Sequence, residues 1–199
     1  MVIRDGVEAD GPALRAVCAR AYTPYISVMG CRPGPMLADY EAHLRSDKVL
    51  VVEKDEGGHP VGYAIILHAD DGYWLDNIAV DPAAQGEGIG RRLILAVEDW
   101  LHARTDRYRL YTNVMMTANI GWYRSLGFRE TGRHHVDGFD RVYFEKQLPA
   151  GSAGIIQSSK AGLRPCFFVS GPAGPAVVAR TMHTCVRWRI ADALDPCPD

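Results

Sequence analysis

The hexapeptide QGEGIG, Gln85 to Gly90, has the residue types and spacing to grip phosphate. Three glycines alternate with other residues, after the apolar WLDNIAV and before RRLILAVEDW. Two common phosphate patterns fail here. G-x-x-x-x-G-K-[ST] lacks its lysine, and G-x-G-x-x-G, started at Gly86, meets Arg91 at its sixth position. The pattern [RQ]-x-x-G-x-[GA] fits, with Gln85, Gly88 and Gly90 in place. Successive backbone N–H groups in a tight turn converge on one concavity, and a helix opening there adds partial positive charge. Together they make a pyrophosphate site, and glycine lets the phosphates come close. A glycine-rich connection with no ligand is the plain alternative, and the loop alone does not decide. The histidines offer no competing metal centre. His134 and His135 are adjacent on a strand, so their rings face opposite ways. His43, His59, His68, His102 and His183 show no ligand spacing.

Such a loop needs a strand to deliver the chain to it and a helix to leave it. YWLDNIAV is the strand, and the helix after the loop carries Ile89, Leu93, Val97 and Leu101 on one face. Before them, MVIR is a short strand, and Glu8 to Ala21 has helical spacing in Leu14, Val17, Cys18 and Ala21. YTPYISVMGCRPGPM, with three prolines and two glycines, reads largely as loop, and LADYEAHL as a short helix. KVLVVEK and VGYAIILH make a hairpin around DEGGHP. After the long helix come a strand, YRLYTN, and a helix, TANIGWYRSL, closed by Gly127. GFRETGRHHV and FDRVYFEKQL form a last hairpin around DG. This gives one domain over residues 1–148. Residues 149–199 hold half of the prolines and three of the five cysteines, with no sustained period. They read as an extension, weakly ordered or merely docked on the domain.

With its elements placed, the sequence resembles the GCN5-related N-acetyltransferase (GNAT) superfamily over roughly Val2 to Leu148. LDNIAVDPAAQGEGIGRRLI matches the acetyl-CoA signature, and NIGWYRSLGF matches a later helix with a tyrosine four residues before Gly127. AYTPYISVMG, PGPM and DY also resemble a branch of small bacterial acetyltransferases. The resemblance implies an α/β fold with a central mixed, mostly antiparallel sheet flanked by helices. Within the sheet, YWLDNIAV and YRLYTN would be a parallel pair splayed apart to admit the thioester arm of acetyl-CoA. It implies cofactor contacts from Ile78, Ala79, Val80, Gln85, Gly86, Glu87, Gly88, Ile89, Gly90, Arg91 and Asn119. Of Arg91 and Arg92, about 100° apart on the helix, one is a solvated surface charge.

An amine attacking acetyl-CoA poses three problems. An alkylamine with a pKa near ~10 must lose its proton, the oxyanion needs donors, and the thiolate of a thiol with pKa about 8.5 must leave. The resemblance puts Tyr123 at the third task, as proton donor to sulfur; otherwise it is a core aromatic beside Trp122 and Phe128. Asp76 stands close to where relatives carry an acidic base, and strict alternation would put Trp74, Asp76, Ile78 and Val80 on one face. The alternatives are a structural or orienting acid, or a water chain in place of a base. The backbone N–H of Ile78, Ala79 or Val80 is the natural oxyanion donor. Many relatives carry an asparagine where this chain has Met116, which leaves the parts of Asn119 and Asn113 open. Tyr22, Tyr25, Asp39 and Tyr40 fall in the acceptor region of the family, to hold an amine or simply to pack.

The function expected is acetyl-CoA-dependent transfer of an acetyl group to a primary amine. The alternative is a non-catalytic acyl-CoA-binding module. A small-molecule amine is expected before a protein acceptor, and a homodimer stays open. A net charge of −2 argues against a strongly electrostatic nucleic-acid binder. No run approaches the ~20 apolar residues of a membrane helix. Five cysteines without a C-x-x-C pair suit free thiols in the cytoplasm.

Overall fold

The computed structural model describes residues 1–149; the extension expected at 150–199 lies outside the described residues. Eleven regular elements order as β1 (Val2–Asp5), α1 (Gly11–Met29), α2 (Tyr40–Ser46), β2 (Lys48–Glu53), β3 (Pro60–Ala69), β4 (Gly72–Val80), α3 (Ile89–Leu101), β5 (Arg107–Asn113), α4 (Thr117–Ser125), β6 (Arg129–Val136) and β7 (Phe139–Gln147). The strands form one seven-stranded sheet in the order β1-β2-β3-β4-β5-β7-β6. Pairing is antiparallel throughout, save that β4 and β5 run parallel. A parallel neighbour cannot be reached by a tight turn, so α3 makes the crossover between them.

Helices cover both faces. The unbroken apolar run of β2 follows from this, since both sides of the strand are buried. Leu50 and Val52 pack with Leu93, Val97 and Leu101 of α3 and with Tyr123 of α4. Val49 and Val51 pack with Leu14, Val17 and Cys18 of α1 and with Tyr40 of α2. The four apolar residues read onto one face of α3 are all buried, and each contributes about 1.5–3 kcal/mol on leaving water.

Two expectations change. The helix expected to end at Ala21 runs on to Met29 with Pro24 inside it, so much of the expected loop is helical. Proline removes one helical hydrogen bond and crowds the preceding turn. α1 carries on past it to end at Gly30, whose left-handed φ of 71° lets its N–H reach Ile26 O at 2.9 Å. The expectation of free thiols holds for buried Cys18 but not for Cys31, which is disulfide-bonded. No helix among the described residues is long and apolar enough to cross a membrane.

Candidate active site

β4 and β5 share a single rung, Trp74 opposite Arg109. Beyond it the strands part toward their C-terminal ends. The other edge of β4 stays paired with β3 as far as Val80, opposite Gly62. Asp81 N donates to Val61 O at 2.8 Å, which sets the alternation of an antiparallel ladder. Ala79 and Asp81 therefore turn their backbone groups to β3, while Ile78 and Val80 turn theirs toward β5, which does not reach them. This corrects the expectation that Ala79 could supply an N–H to the cleft; its carbonyl faces Gly62. Val80 O accepts from Gln85 Nε2 at 3.1 Å, so the side chain that opens the glycine loop ties it to the strand end.

The loop closes one end of this cleft. Gly86 and Gly88 have φ of 83° and 76°, and a Cβ on either would point into open space. Their glycines answer a backbone angle that side chains disfavour, and the space before them is free for a ligand. Gly90 differs: a Cβ there would lie 3.1 Å from Trp122 Cζ2, so this glycine lets α3 pack on α4. Gly88 caps α3 without a side-chain acceptor, and no acidic residue stands in the first turn. The N–H groups of Ile89, Gly90 and Arg91 have no helical carbonyl to meet. Arg91 lines the cleft, whereas Arg92 turns away, 3.5 Å from Met1 Sδ. The Glu87 carboxylate pairs with Lys54 Nζ at 2.7 Å, so only its backbone is left for a ligand. Donors, glycines and one cation without a competing acid fit a pyrophosphate.

α4 brings Tyr123 to the junction of two cavities. It lines both the cleft beside the loop and a second cavity across the sheet edge, as do Asn119, Tyr22 and Ile78. Tyr123 is 7% exposed, and its ring lies 5.1 Å from Trp122, 5.7 Å from Phe128 and 5.9 Å from Phe144. Burial pushes its pKa well above the ordinary phenol range, so the hydroxyl keeps its proton. Asn119 Nδ2 sits 3.7 Å from the sulfur of Met116. Asn113 bends back to accept from Met115 N at 2.8 Å and lines the second cavity.

Asp76 lines the second cavity too, but not by alternation. Ile65 faces Asn77 and Ile66 faces Leu75, so Asp76 is an extra residue, a bulge in β4. Leu75 and Ile78 consequently pack in the same core, and Trp74, Asp76, Ile78 and Val80 do not share a face. A bulge re-aims side chains, and this one puts Asp76 beside Asn77 on the cavity wall. Burial is the strongest influence on its carboxyl. His43 and Arg141 hold the pKa down and Asp47 adds to it, and the net result is pushed up to about 6. His43 itself is buried, which opposes its charging. The hydrogen bond to Asp47 at 2.9 Å and the nearby Asp76 outweigh this, and its pKa is raised.

The four acceptor-side residues divide. Tyr22 and Tyr25, one turn apart on the continued α1, line the cleft. Asp39 is the N-cap of α2, accepting from Ala42 N at 2.9 Å. Tyr40 is fully buried and bonded to Pro35 O and Tyr63. Both are structural, which corrects the expectation of acceptor contacts. Asn77, unmarked by the sequence, joins this group: it accepts from Tyr22 at 2.9 Å and donates to Tyr40 at 3.2 Å and Tyr63 at 3.0 Å. Arg141 and Tyr111 were also missed. Both line the second cavity, yet on sequence they were a charge and an aromatic in ordinary strands.

Comparison with known proteins agrees with this geometry. Residues 45–130 match the model of the acetyltransferase (GNAT) domain. The peptidyl-lysine N-acetyltransferase YjaB of Salmonella typhimurium is 35% identical over 97 residues, 48% of this chain and 58% of that protein. The N-alpha-acetyltransferase RimI of Mycobacterium tuberculosis is 36% identical over 108 residues, 52% of this chain and 66% of that protein. The chain thus spans about three-fifths to two-thirds of these relatives. The crystal structure of the ribosomal-protein-S18-alanine N-acetyltransferase from Escherichia coli superposes with a TM-score of 0.56 at 24% identity, covering 83% of this chain and 99% of that one. The matched segment runs from the end of α2 through the glycine loop to the start of β6, and that segment is a GNAT acetyltransferase domain.

Proposed function

We propose that this protein is an acetyl-CoA-dependent N-acetyltransferase that acetylates a primary amine by direct attack. The observation that carries the reading is Tyr123, a buried phenol at the junction of the loop-side cleft and the second cavity. Acetyl-CoA, when bound, supplies the activated acetyl group and a thiolate leaving group. The glycine loop and Arg91 would hold its phosphates, and the open edge at Ile78 and Val80 would pair with its amide arm. Asp76 takes the first proton from the incoming ammonium and passes it to solvent. The N–H of Ile78 or of Val80, whichever the amide arm leaves free, would donate to the carbonyl oxygen as charge develops there. The C–N bond forms, the C–S bond breaks, and Tyr123 gives its proton to sulfur. The second proton leaving nitrogen restores Tyr123, so the balance is one amide, one thiol and one proton released.

The acceptor is read as a small amine rather than a protein. Met29, Pro33 and Pro35 line the second cavity together with Asp76, an apolar lining that supports a small acceptor. The named relatives point the other way, to peptidyl lysine and N-terminal amines. The cytoplasmic reading stays with the proposal. Free-thiol release from acetyl-CoA, followed with a panel of amines and blocked peptides, tests the function. Cofactor binding without amine-dependent release would instead mark a non-catalytic binder.

A further inference from the structure

The second cavity holds opposite charges that do not satisfy each other. Asp76 lines it from its bulge in β4. Arg141 of β7 lines it too and is only 5% exposed. Its ion pair is with Asp137 at 3.6 Å, not with Asp76, and Asp137 is a solvent-exposed turn residue. The guanidinium otherwise lies over the Tyr111 ring, 4.6 Å from its centre. Arg141 thus keeps planar N–H donors with a long, one-sided ion pair as their partner. A buried guanidinium in that state is costly unless something completes it.

Tyr111 gives a second, independent sign. Its hydroxyl is buried and has no hydrogen-bond partner among the described residues, yet the residue lines the same cavity. Buried hydroxyls are nearly always bonded, and an exception in a cavity wall calls for an explanation. Burial pushes this phenol far above its usual pKa, so it is a donor. A guanidinium lying over the ring of a phenol with a free O–H makes a donor set for a carboxylate. The carboxylate of Asp76, which lines the same cavity, suits an ammonium.

We infer that the acceptor is a small zwitterion, a primary amine bearing its own carboxylate as amino acids do, with the carboxylate held by Arg141 and Tyr111 and the nitrogen turned to Asp76 below Tyr123. This rests on the acetyltransferase reading and narrows it. It also separates the chain from enzymes that modify a lysine within a peptide, where no carboxylate need stand near the amine. Asp137 completes the account: its weak pair with Arg141 is exposed enough to be displaced when a substrate carboxylate arrives.

The test uses the full chain and matched pairs of amines, each amino acid against its own amide, with lysine-containing blocked peptides as a third arm. The first readout is thiol release from acetyl-CoA. Amino acids should exceed their amides in kcat/KM by about 100-fold or more, as expected when a buried donor set is left unpaired by the lesser substrate. Arg141→Gln should bring that ratio close to one, Arg141→Lys should keep part of it, and Tyr111→Phe should lower it without touching the buried charge. The second readout is calorimetric titration of N-acetyl amino acids against their amides in the presence of coenzyme A, which needs no turnover. Tighter binding of the carboxylate form, lost in Arg141→Gln, supports the slot even if no amine were turned over, in which case it is the acetyltransferase reading that falls. Equal use of acids and amides, equal binding, or preference for the blocked peptides would overturn the zwitterion slot while leaving acetyl transfer standing.

Discussion

At the scale of single residues, the proposed chemistry divides between a phenol and a carboxylate whose surroundings push both toward their neutral forms. Tyr123→Phe removes one oxygen and keeps a ring packed among Trp122, Phe128 and Phe144. The lost donor meets sulfur only as the C–S bond breaks. The expected result is a fall in kcat of about 10²–10⁴ with KM for acetyl-CoA nearly unchanged, measured by steady-state kinetics. A wild-type kcat would return Tyr123 to the core aromatics. Asp76 predicts a pH dependence. As a base it must be ionised, so kcat/KM should climb as pH rises through about 6 and then level, and Asp76→Asn should remove that limb. Stability has the opposite sign. A carboxyl whose folded pKa is raised binds extra proton in the folded state between its unfolded value and about 6, so stability falls as pH rises through that window. Asp76→Asn should therefore raise the melting temperature at pH 8 more than at pH 4, a comparison open to thermal denaturation.

At the scale of elements, the loop glycines separate into two jobs. Gly88→Val places a β-branched side chain at φ 76° and into the space left for phosphate. It should weaken acetyl-CoA binding at least tenfold in calorimetry, while α3 keeps its buried face and the fold survives. Gly90→Val instead meets Trp122, where overpacking costs about 1–3 kcal/mol, and should show first as a lower melting temperature. The loop, the strand before it and the helix after it were legible because glycine spacing and apolar period are local signals. The bulge was not, since an extra residue in β4 is defined only by what β3 places opposite it. Nor was the length of α1: Pro24 signals a break, but the helix runs past it to Met29, and so Tyr22 and Tyr25 arrive on a helix. Arg141 and Tyr111 looked like ordinary strand residues. Their placement depends on β7 lying between β5 and β6, an order that no local pattern encodes.

At the scale of the whole molecule, the core of the described residues reaches to the end of β7. Leu148 is buried, and its N–H reaches Asp106 O at 2.7 Å, beside the last paired rung of Gln147 with Arg107. A chain ended after Leu148 is expected to fold and to bind acetyl-CoA as the full chain does, checked by calorimetry and thermal denaturation. A much lower melting temperature would extend the domain into the following residues. The parted strands also leave a signature in time rather than in space. β4 is central in a seven-stranded sheet, and its amides would ordinarily exchange with solvent deuterium only when the sheet opens. Because its ladder with β5 stops at one rung, the amides of Ile78 and Val80 should exchange like those of an edge strand, while Ala79, between them, exchanges like the core. Saturating acetyl-CoA should slow the fast pair and leave Ala79 unchanged, so that a single tripeptide, followed by amide-resolved exchange, reports whether the gap in the sheet has been filled.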